Sequence, residues 1–186
     1  MSFDCSTEME CGNFRCVPLS SNTHRVHLFR FEVLEVLDEY GVSKTPKGLQ
    51  YSINNRIAEM DSRNLLKTYL VYAKHYNSDL NKDIEELAFV FCLRCSSMNF
   101  TERNSSISMN EIIPAVELVY FAAEKNYREK HSSTKGLGVF VYDNFLTPIV
   151  QQIAKLVGCK NLYLFAINDK TLVDYYCDKL MFESLP

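Results

Sequence analysis

A stripe of apolar residues at helical spacing begins directly after a glycine-rich loop. The loop, KHSSTKGLG at 130–138, contains two glycines and several small hydroxylated residues. The stripe consists of Leu137, Val141, Phe145, Ile149, Ile153 and Val157. Apolar residues three or four positions apart lie on one face of an α-helix. We therefore predict a helix over 138–157 that ends at Gly158. The glycines at its N-terminus leave the backbone there without side chains.

Other segments indicate a sheet that this helix covers. The runs at 87–95, 112–123 and 161–167 are apolar, short and aromatic enough for buried strands. A short edge strand is predicted at 14–19, where proline is tolerated only at the end. Helical patterns occupy 23–40, 49–76 and 170–180. This order predicts an α/β fold, with a central mixed β-sheet flanked by helices and a helical N-terminal half.

Composition limits the domain organisation and the class of protein. A chain of 186 residues is most simply a single domain, with a polar and flexible segment at 1–12. The net charge of −3 gives no general attraction to polyanions, so nucleic acid is not an expected partner. The N-terminus lacks a signal-peptide pattern, no apolar run is long enough to span a membrane, and the seven cysteines are scattered. We expect a reduced, cytoplasmic protein.

The glycine-rich loop has two interpretations. A strand, a glycine-rich loop and a helix N-terminus form an anion site, because free backbone N–H groups and the helix dipole point at the loop. Gly136 and Gly138 would let a phosphate approach the backbone, and Lys135 adds positive charge. The alternative is a connection that needs glycine only to turn. Neither a Walker loop nor a dinucleotide fingerprint is present.

The C-terminal part of the sequence resembles the GNAT superfamily of acyl-CoA-dependent N-acetyltransferases. The resemblance covers residues 114–183. It depends on an ordered series of motifs: a strand containing Glu117, Tyr127-Arg128, Gly136-x-Gly138, an amphipathic helix, Val157-Gly158-Cys159, a strand followed by Asn168, Tyr175-Tyr176, and Lys179-Leu180-x-Phe182. The resemblance implies a GNAT-like fold and acetyl-CoA as the acyl donor, with no metal.

The resemblance also implies a set of cofactor-binding residues. The backbone of the phosphate loop would bind the pyrophosphate of coenzyme A, and the strand before it would pair with the pantetheine arm. Asn168 would contact the cofactor after the last strand. The implied binding residues are Phe121, Ala122, Ala123, Lys135, Gly136, Leu137, Gly138, Val139 and Asn168.

Three residues are candidates for the chemistry. By alternation, Glu117 shares a face with Ala115, Val119 and Phe121, so it is a carboxylate in an apolar strand with an expected raised pKa, as suits a general base. The alternative is an edge-exposed or salt-bridged carboxylate. The resemblance assigns thiolate protonation to Tyr176 or Tyr175, with Tyr176 preferred. Two tyrosines that pack a helix on the sheet are an equal alternative.

A metal site is not predicted. Cys92 and Cys95 have a spacing found in zinc sites, but residues three apart on a strand point to opposite faces. We interpret both as small buried side chains.

The predicted function is acetyl transfer from acetyl-CoA to an amine of unknown identity, small molecule or protein. A helical region at 42–86 would shape the acceptor side, and a homodimer is compatible with the sequence. The alternative is a non-catalytic GNAT-like domain that binds coenzyme A or a protein partner. Three features favour it: an altered phosphate loop with Ser133 at the usual Gln/Arg position, Met181 where the family commonly has glycine, and a chain that ends at Pro186.

Overall fold

The structure is a computed structural model. It describes residues 8–19, 49–101, 110–131, 136–166 and 169–184. The predictions for residues 1–7, for a helix at 23–40, and for Lys135 and Asn168 lie outside this part of the chain.

The described strands form one sheet in chain order. They are β1 (Met9–Cys11), β2 (Phe14–Pro18), β3 (Lys67–Asn77), β4 (Lys82–Thr101), β5 (Asn110–Ala123) and β6 (Asn161–Tyr163). Neighbours from β1 to β5 are antiparallel, and β6 pairs parallel to β5. The sheet is therefore mixed, as predicted.

Helices lie between and after these strands. They are α1 (Leu49–Ser62), α2 (Lys125–Lys130), α3 (Leu137–Val141), α4 (Thr147–Val157) and α5 (Lys170–Leu180). A π-helical segment, Tyr142–Leu146, joins α3 to α4 without a break. The predicted helix over 138–157 is thus confirmed, with one widened turn, and so is the helix at 170–180.

The sheet has an apolar core on each face. On one face, β4 and β5 pack against α3, the π-helical segment and α4, with Phe91 and Phe145 fully buried. On the other face, Ile57 of α1 packs against Leu70 and Val90. The described helices therefore flank the sheet on both sides, which is the architecture predicted from the sequence.

The helical pattern predicted over 49–76 is wrong in its second half. The helix ends at Ser62, and Lys67–Asn77 is a strand that pairs with β4 over its whole length. Thr68, Tyr69 and Val71 are β-branched or aromatic, and such side chains fit a pleated surface that is buried on both faces. Among the described residues of the helical region predicted at 42–86, only Leu49–Ser62 is helical, and β3 and the start of β4 occupy most of the rest.

Three strand predictions need adjustment. The strand at 14–19 is present as β2, but β1 covers it, so it is not the edge. Met9–Cys11 was predicted to be flexible, and it forms β1. The strand at 161–167 is regular only over Asn161–Tyr163, because its pairing with β5 stops there.

Met181 has a glycine-like conformation. It caps the C-terminus of α5 with φ 59°, and the Phe182 N–H donates to the Tyr176 carbonyl over 3.1 Å. A residue with a β-carbon is disfavoured in this left-handed region, where helix caps usually have glycine. Met181 thus has a backbone conformation that favours glycine, the residue the resemblance led us to expect there, and its side chain is 83% exposed.

We expect Met181→Gly to stabilise the protein by about 0.5–1 kcal/mol, because it removes the left-handed penalty and loses little packing. Thermal unfolding should show a rise in Tm of roughly 1–4 °C. Asn64→Gly is the matched control, since Asn64 has φ 55° and asparagine tolerates this region. A fall in Tm for Met181→Gly would contradict the interpretation.

Candidate active site

The sheet opens between β5 and β6. The two strands pair from Ala115 opposite Asn161 to Glu117 opposite Tyr163. Beyond Tyr163 the described chain leaves the strand conformation, whereas β5 continues to Ala123 with β4 on its other side. The β5 edge that faces this opening, over Phe121, Ala122 and Ala123, pairs with no other described strand. Backbone groups on such an edge can pair with an extended ligand.

Glu117 lies at the apex of this opening and is almost fully buried, with 5% exposed. Arg94 on β4 donates to its Oε2 from Nε over 3.1 Å and from Nη2 over 2.5 Å. The Tyr163 hydroxyl lies 3.1 Å from the same oxygen and 2.7 Å from Ser96 Oγ. Glu117 is therefore a paired carboxylate in a polar cluster, which is the salt-bridged alternative left open by the sequence.

A β-bulge at Val119 sets which side chains accompany Glu117. Leu118 pairs with Leu93 and Tyr120 pairs with Cys92, so Val119 is an extra residue in β5. A bulge reverses the alternation beyond it. Phe121 accordingly packs in the core that contains Leu118. The prediction that Glu117 and Phe121 share a face is wrong for this reason.

The glycine-rich loop ends at the N-terminus of α3. Gly136 is the N-cap, with φ 96°, and no side chain caps the helix there. A β-carbon at Gly136 would meet nothing within 4 Å, so this position is open. Leu137 is buried, and Val139 is partly exposed. The first N–H groups of a helix have no partner within it, so the loop presents backbone donors at an open surface.

Gly138 brings three predicted site residues together. A β-carbon at Gly138 would overlap the Tyr175 hydroxyl and would lie 3.6 Å from a Phe121 ring carbon. The absence of a side chain at Gly138 therefore lets Tyr175 of α5 reach the start of α3. Ala122 and Ala123 follow Phe121 on the open edge of β5. Tyr175, Gly138 and Phe121 are therefore direct neighbours.

Tyr176 faces a different part of the site. It lines a groove of about 1020 Å³ that runs along β6 and α5, together with Tyr142, Tyr163 and Phe182. Burial raises the pKa of Tyr176, and burial followed by the charge of Tyr176 raises that of Tyr175. A raised pKa keeps both phenols protonated at neutral pH, so each can donate a proton.

Arg94, Ser96 and Tyr163 were missed by the sequence interpretation. Arg94 is a charged residue inside an apolar strand pattern, and β5 has its own charged residue directly opposite. Complementary charges on adjacent predicted strands were therefore the available signal. In the sequence, Tyr163 could not be distinguished from an aromatic residue of the core. Its hydroxyl partners lie on two other strands, so they leave no signal near it in the sequence.

The described cysteines do not suggest a metal or a nucleophile. Cys92 is buried as predicted, but the prediction of a buried Cys95 is wrong: Cys95 is exposed, because residues three apart on β4 point to opposite faces. Burial raises the pKa of the Cys16 and Cys92 thiols to about 12, which leaves them protonated. No metal-binding group of three or more His, Cys, Asp or Glu occurs among the described residues. None of the helices in those ranges is long and apolar enough to cross a membrane.

Comparison with solved structures identifies the architecture. A Tyr→Phe mutant of the toxin AtaT superposes with a TM-score of 0.59 at 13% identity, over 88% of this chain and 79% of that chain. AtaTR bound with acetyl-CoA gives 0.59 at 15% identity, over 88% and 83%. A Tyr→Phe mutant of KacT gives 0.51 at 17%, over 75% and 76%. The chain has a GNAT fold.

Sequence comparisons add no closer relative: no family model matches the chain, and no curated protein matches it significantly. At identities of 13–17%, the structural likeness establishes the GNAT fold alone. The activity therefore has to be argued from this chain's own residues.

Proposed function

We propose that the protein is an N-acetyltransferase that transfers the acetyl group of acetyl-CoA to an amine. The observation that carries the proposal is the opening between β5 and β6. The two strands separate after Glu117, Tyr175 contacts the N-terminus of α3 at Gly138, and Tyr176 lines the groove along β6. The AtaT structure with bound acetyl-CoA supports this choice of donor.

Acetyl-CoA would lie along the free edge of β5. Its pantetheine amides would pair with the backbone of Phe121, Ala122 and Ala123, as an added strand does. Its pyrophosphate would bind the backbone from Gly136 to Val139, where Gly136 leaves space for a large anion. Lys135 and Asn168 are further proposed contacts that the resemblance implies. Tyr175 lies on Gly138 and would donate its hydroxyl to a phosphate oxygen.

Glu117 is the proposed general base. All the hydrogen bonds described for its carboxylate converge on Oε2, from Arg94 and Tyr163. The second oxygen, Oε1, is the one that can accept a proton from the substrate amine. Because Arg94 holds Oε2 with two hydrogen bonds, Oε1 is left as the oxygen that faces a substrate.

Acetyl transfer then follows in one direct attack. As Glu117 accepts the proton, the amine nitrogen bonds to the thioester carbonyl carbon. The N–H of the bulged segment at Val119 is the proposed donor to the tetrahedral oxyanion, since a bulge leaves its extra residue outside the ladder. The C–S bond breaks, and the thiolate takes a proton from Tyr176. The products are the acetylated amine and coenzyme A.

The structure favours Tyr176 over Tyr175 as the acid. Tyr176 lines the groove that also contains Tyr163, the residue in contact with Glu117. Tyr175 instead contacts the proposed phosphate loop. The two tyrosines therefore have separate proposed roles, with Tyr176 at the chemistry and Tyr175 at the cofactor.

The acceptor amine would enter through the groove along β6 and α5. Solved structures of similar proteins include AtaT complexed with acetyl-methionyl-tRNAfMet and a KacTA–DNA complex. An aminoacyl-tRNA therefore belongs in an acceptor screen beside small amines and peptides, although the net charge of −3 does not favour it.

Calorimetric titration with acetyl-CoA tests the donor site. We expect micromolar binding by the wild type and at least a tenfold weaker affinity for Gly136→Asp, because a carboxylate at the helix N-terminus repels phosphate. Gly136→Asn has nearly the same shape without the charge, so it should retain most of the affinity. If Asp and Asn weaken binding equally, backbone conformation rather than charge explains the loss.

A second control separates the effect of a charge in the glycine-rich loop from the effect of the same charge elsewhere on the surface. Gly158 is also exposed, has φ 71°, and has open space around its missing β-carbon. Gly158→Asp should therefore introduce the same charge and similar strain without affecting acetyl-CoA affinity. Absence of binding by the wild type would make the glycine-rich loop a turn and would overturn the proposed donor.

A further inference from the structure

The polar cluster around Glu117 contains a hydroxyl pair that the reaction above does not use. Tyr163 on β6 lies between Glu117 on β5 and Ser96 on β4, at 3.1 Å and 2.7 Å. The carboxylate, the phenol and the serine hydroxyl therefore form a short hydrogen-bonded chain across three strands. Its Ser96 end lies next to Ser97, which lines the groove.

The number of protons in this hydrogen-bonded chain limits the direction of its hydrogen bonds. A phenol has one proton, so Tyr163 cannot donate to Glu117 and Ser96 at the same time. When Glu117 is ionised, Ser96 donates to Tyr163, and Tyr163 donates to Oε2. When Glu117 holds the substrate proton on Oε1, Oε2 remains an acceptor, so Ser96 still donates to Tyr163 and Tyr163 still donates to Oε2. Both protonation states therefore satisfy every hydroxyl without moving a heavy atom.

Arg94 holds the same oxygen from another side. Its guanidinium donates two hydrogen bonds to Oε2 and carries a full charge. The Tyr163 hydroxyl is a neutral donor from β6, and Ser96 fixes the direction in which it donates. Removal of the Tyr163 hydroxyl therefore changes the hold on Oε2 without changing the charge of the cluster.

We propose that Tyr163, supported by Ser96, is a positioning residue that holds Glu117 in its reactive orientation through both protonation states of the catalytic cycle. This inference rests on the proposed acetyltransferase function and on Glu117 as its base. Tyr163 also lines the acceptor groove, but its hydroxyl is bound to Glu117 and Ser96, so the proposed role of the hydroxyl is exerted through Glu117. Its hydroxyl is therefore important only while the carboxylate is present.

A kinetic double-mutant cycle tests this inference. Release of coenzyme A is measured for the wild type, Tyr163→Phe, Glu117→Gln and the double variant. We expect Tyr163→Phe to lower kcat about tenfold, the effect of one hydrogen bond to a charged group. The KM for acetyl-CoA should not change. In the Glu117→Gln background, Tyr163→Phe should change kcat less than twofold, because its target is gone.

Two further variants serve as controls: one removes a tyrosine hydroxyl elsewhere in the sheet, and the other removes the Ser96 end of the hydrogen-bonded chain. Tyr76→Phe removes a hydroxyl from an exposed tyrosine of β3 and should leave kcat unchanged. Ser96→Ala should lower kcat about threefold, because it leaves Tyr163 with one partner.

The outcomes separate this inference from the function on which it rests. An equal loss from Tyr163→Phe in both backgrounds would overturn the positioning role and leave acetyl transfer in place. A rise in KM for acetyl-CoA with unchanged kcat would also overturn it. A wild type that binds acetyl-CoA but never releases coenzyme A would overturn the proposed function itself, and this inference with it.

Discussion

Glu117→Gln is expected to lower kcat by about 10²–10⁴ while acetyl-CoA binds with unchanged affinity. The amide has nearly the shape of the carboxylate but cannot accept the amine proton, and removal of a general base costs rates of this order. Glu117 lies at the closed end of the opening, before the β5 edge where the cofactor would pair. Steady-state release of coenzyme A gives the rate, and calorimetry gives the affinity.

The matched control is Glu85→Gln. Glu85 is another strand carboxylate paired with an arginine, since Arg15 Nε donates to it over 2.9 Å, but it lies near the start of β4, opposite Lys74 of β3. Its loss should reproduce the effect of breaking an ion pair without changing the rate. If Glu117→Gln retains full activity, Glu117 is a structural partner of Arg94. If the wild type binds acetyl-CoA without turnover, the non-catalytic alternative is favoured.

The C-terminal half of the fold could be predicted because each element there carries its own local signal. The stripe from Leu137 to Val157 has helical spacing, and the strand up to Ala123 is apolar on both faces. The region at 63–77 could not be predicted by spacing alone. Tyr69 and Tyr72 are three residues apart, so they match a helix as well as a doubly buried strand. Pairing with β4 decided between them.

Only those site residues whose role depends on the local backbone conformation could be predicted from the sequence. Gly136 needs glycine for its positive φ, and that signal is local. The need for glycine at Gly138 comes from Tyr175, which is distant in sequence. The partners of Glu117 depend on the register of three strands, and the bulge at Val119 moved Phe121 to the opposite face of β5. A single extra residue thus changed the predicted surroundings of Glu117.

Phe145→Ala is expected to destabilise the protein by about 3–5 kcal/mol, the usual range for a fully buried phenylalanine. Phe145 is 0% exposed in the π-helical segment, and its ring lies 5.9 Å from that of Phe140. The widened turn places Phe145 and Leu146 side by side in the core, so both anchor the helix whose first turn holds Gly136–Val139. Urea unfolding followed by circular dichroism should show a lower midpoint.

Acetyl-CoA affinity should fall together with stability in this variant, because the same helix presents the phosphate loop. Asp143→Ala is the control in the same segment, since Asp143 is exposed and its replacement should change stability by less than about 0.5 kcal/mol. A Phe145→Ala protein that is destabilised but binds acetyl-CoA normally would separate the helix anchor from the donor site. If Phe145→Ala lowers the free energy of unfolding by less than about 1 kcal/mol, the described packing is wrong. Removal of a fully buried aromatic ring costs more than that unless the cavity collapses.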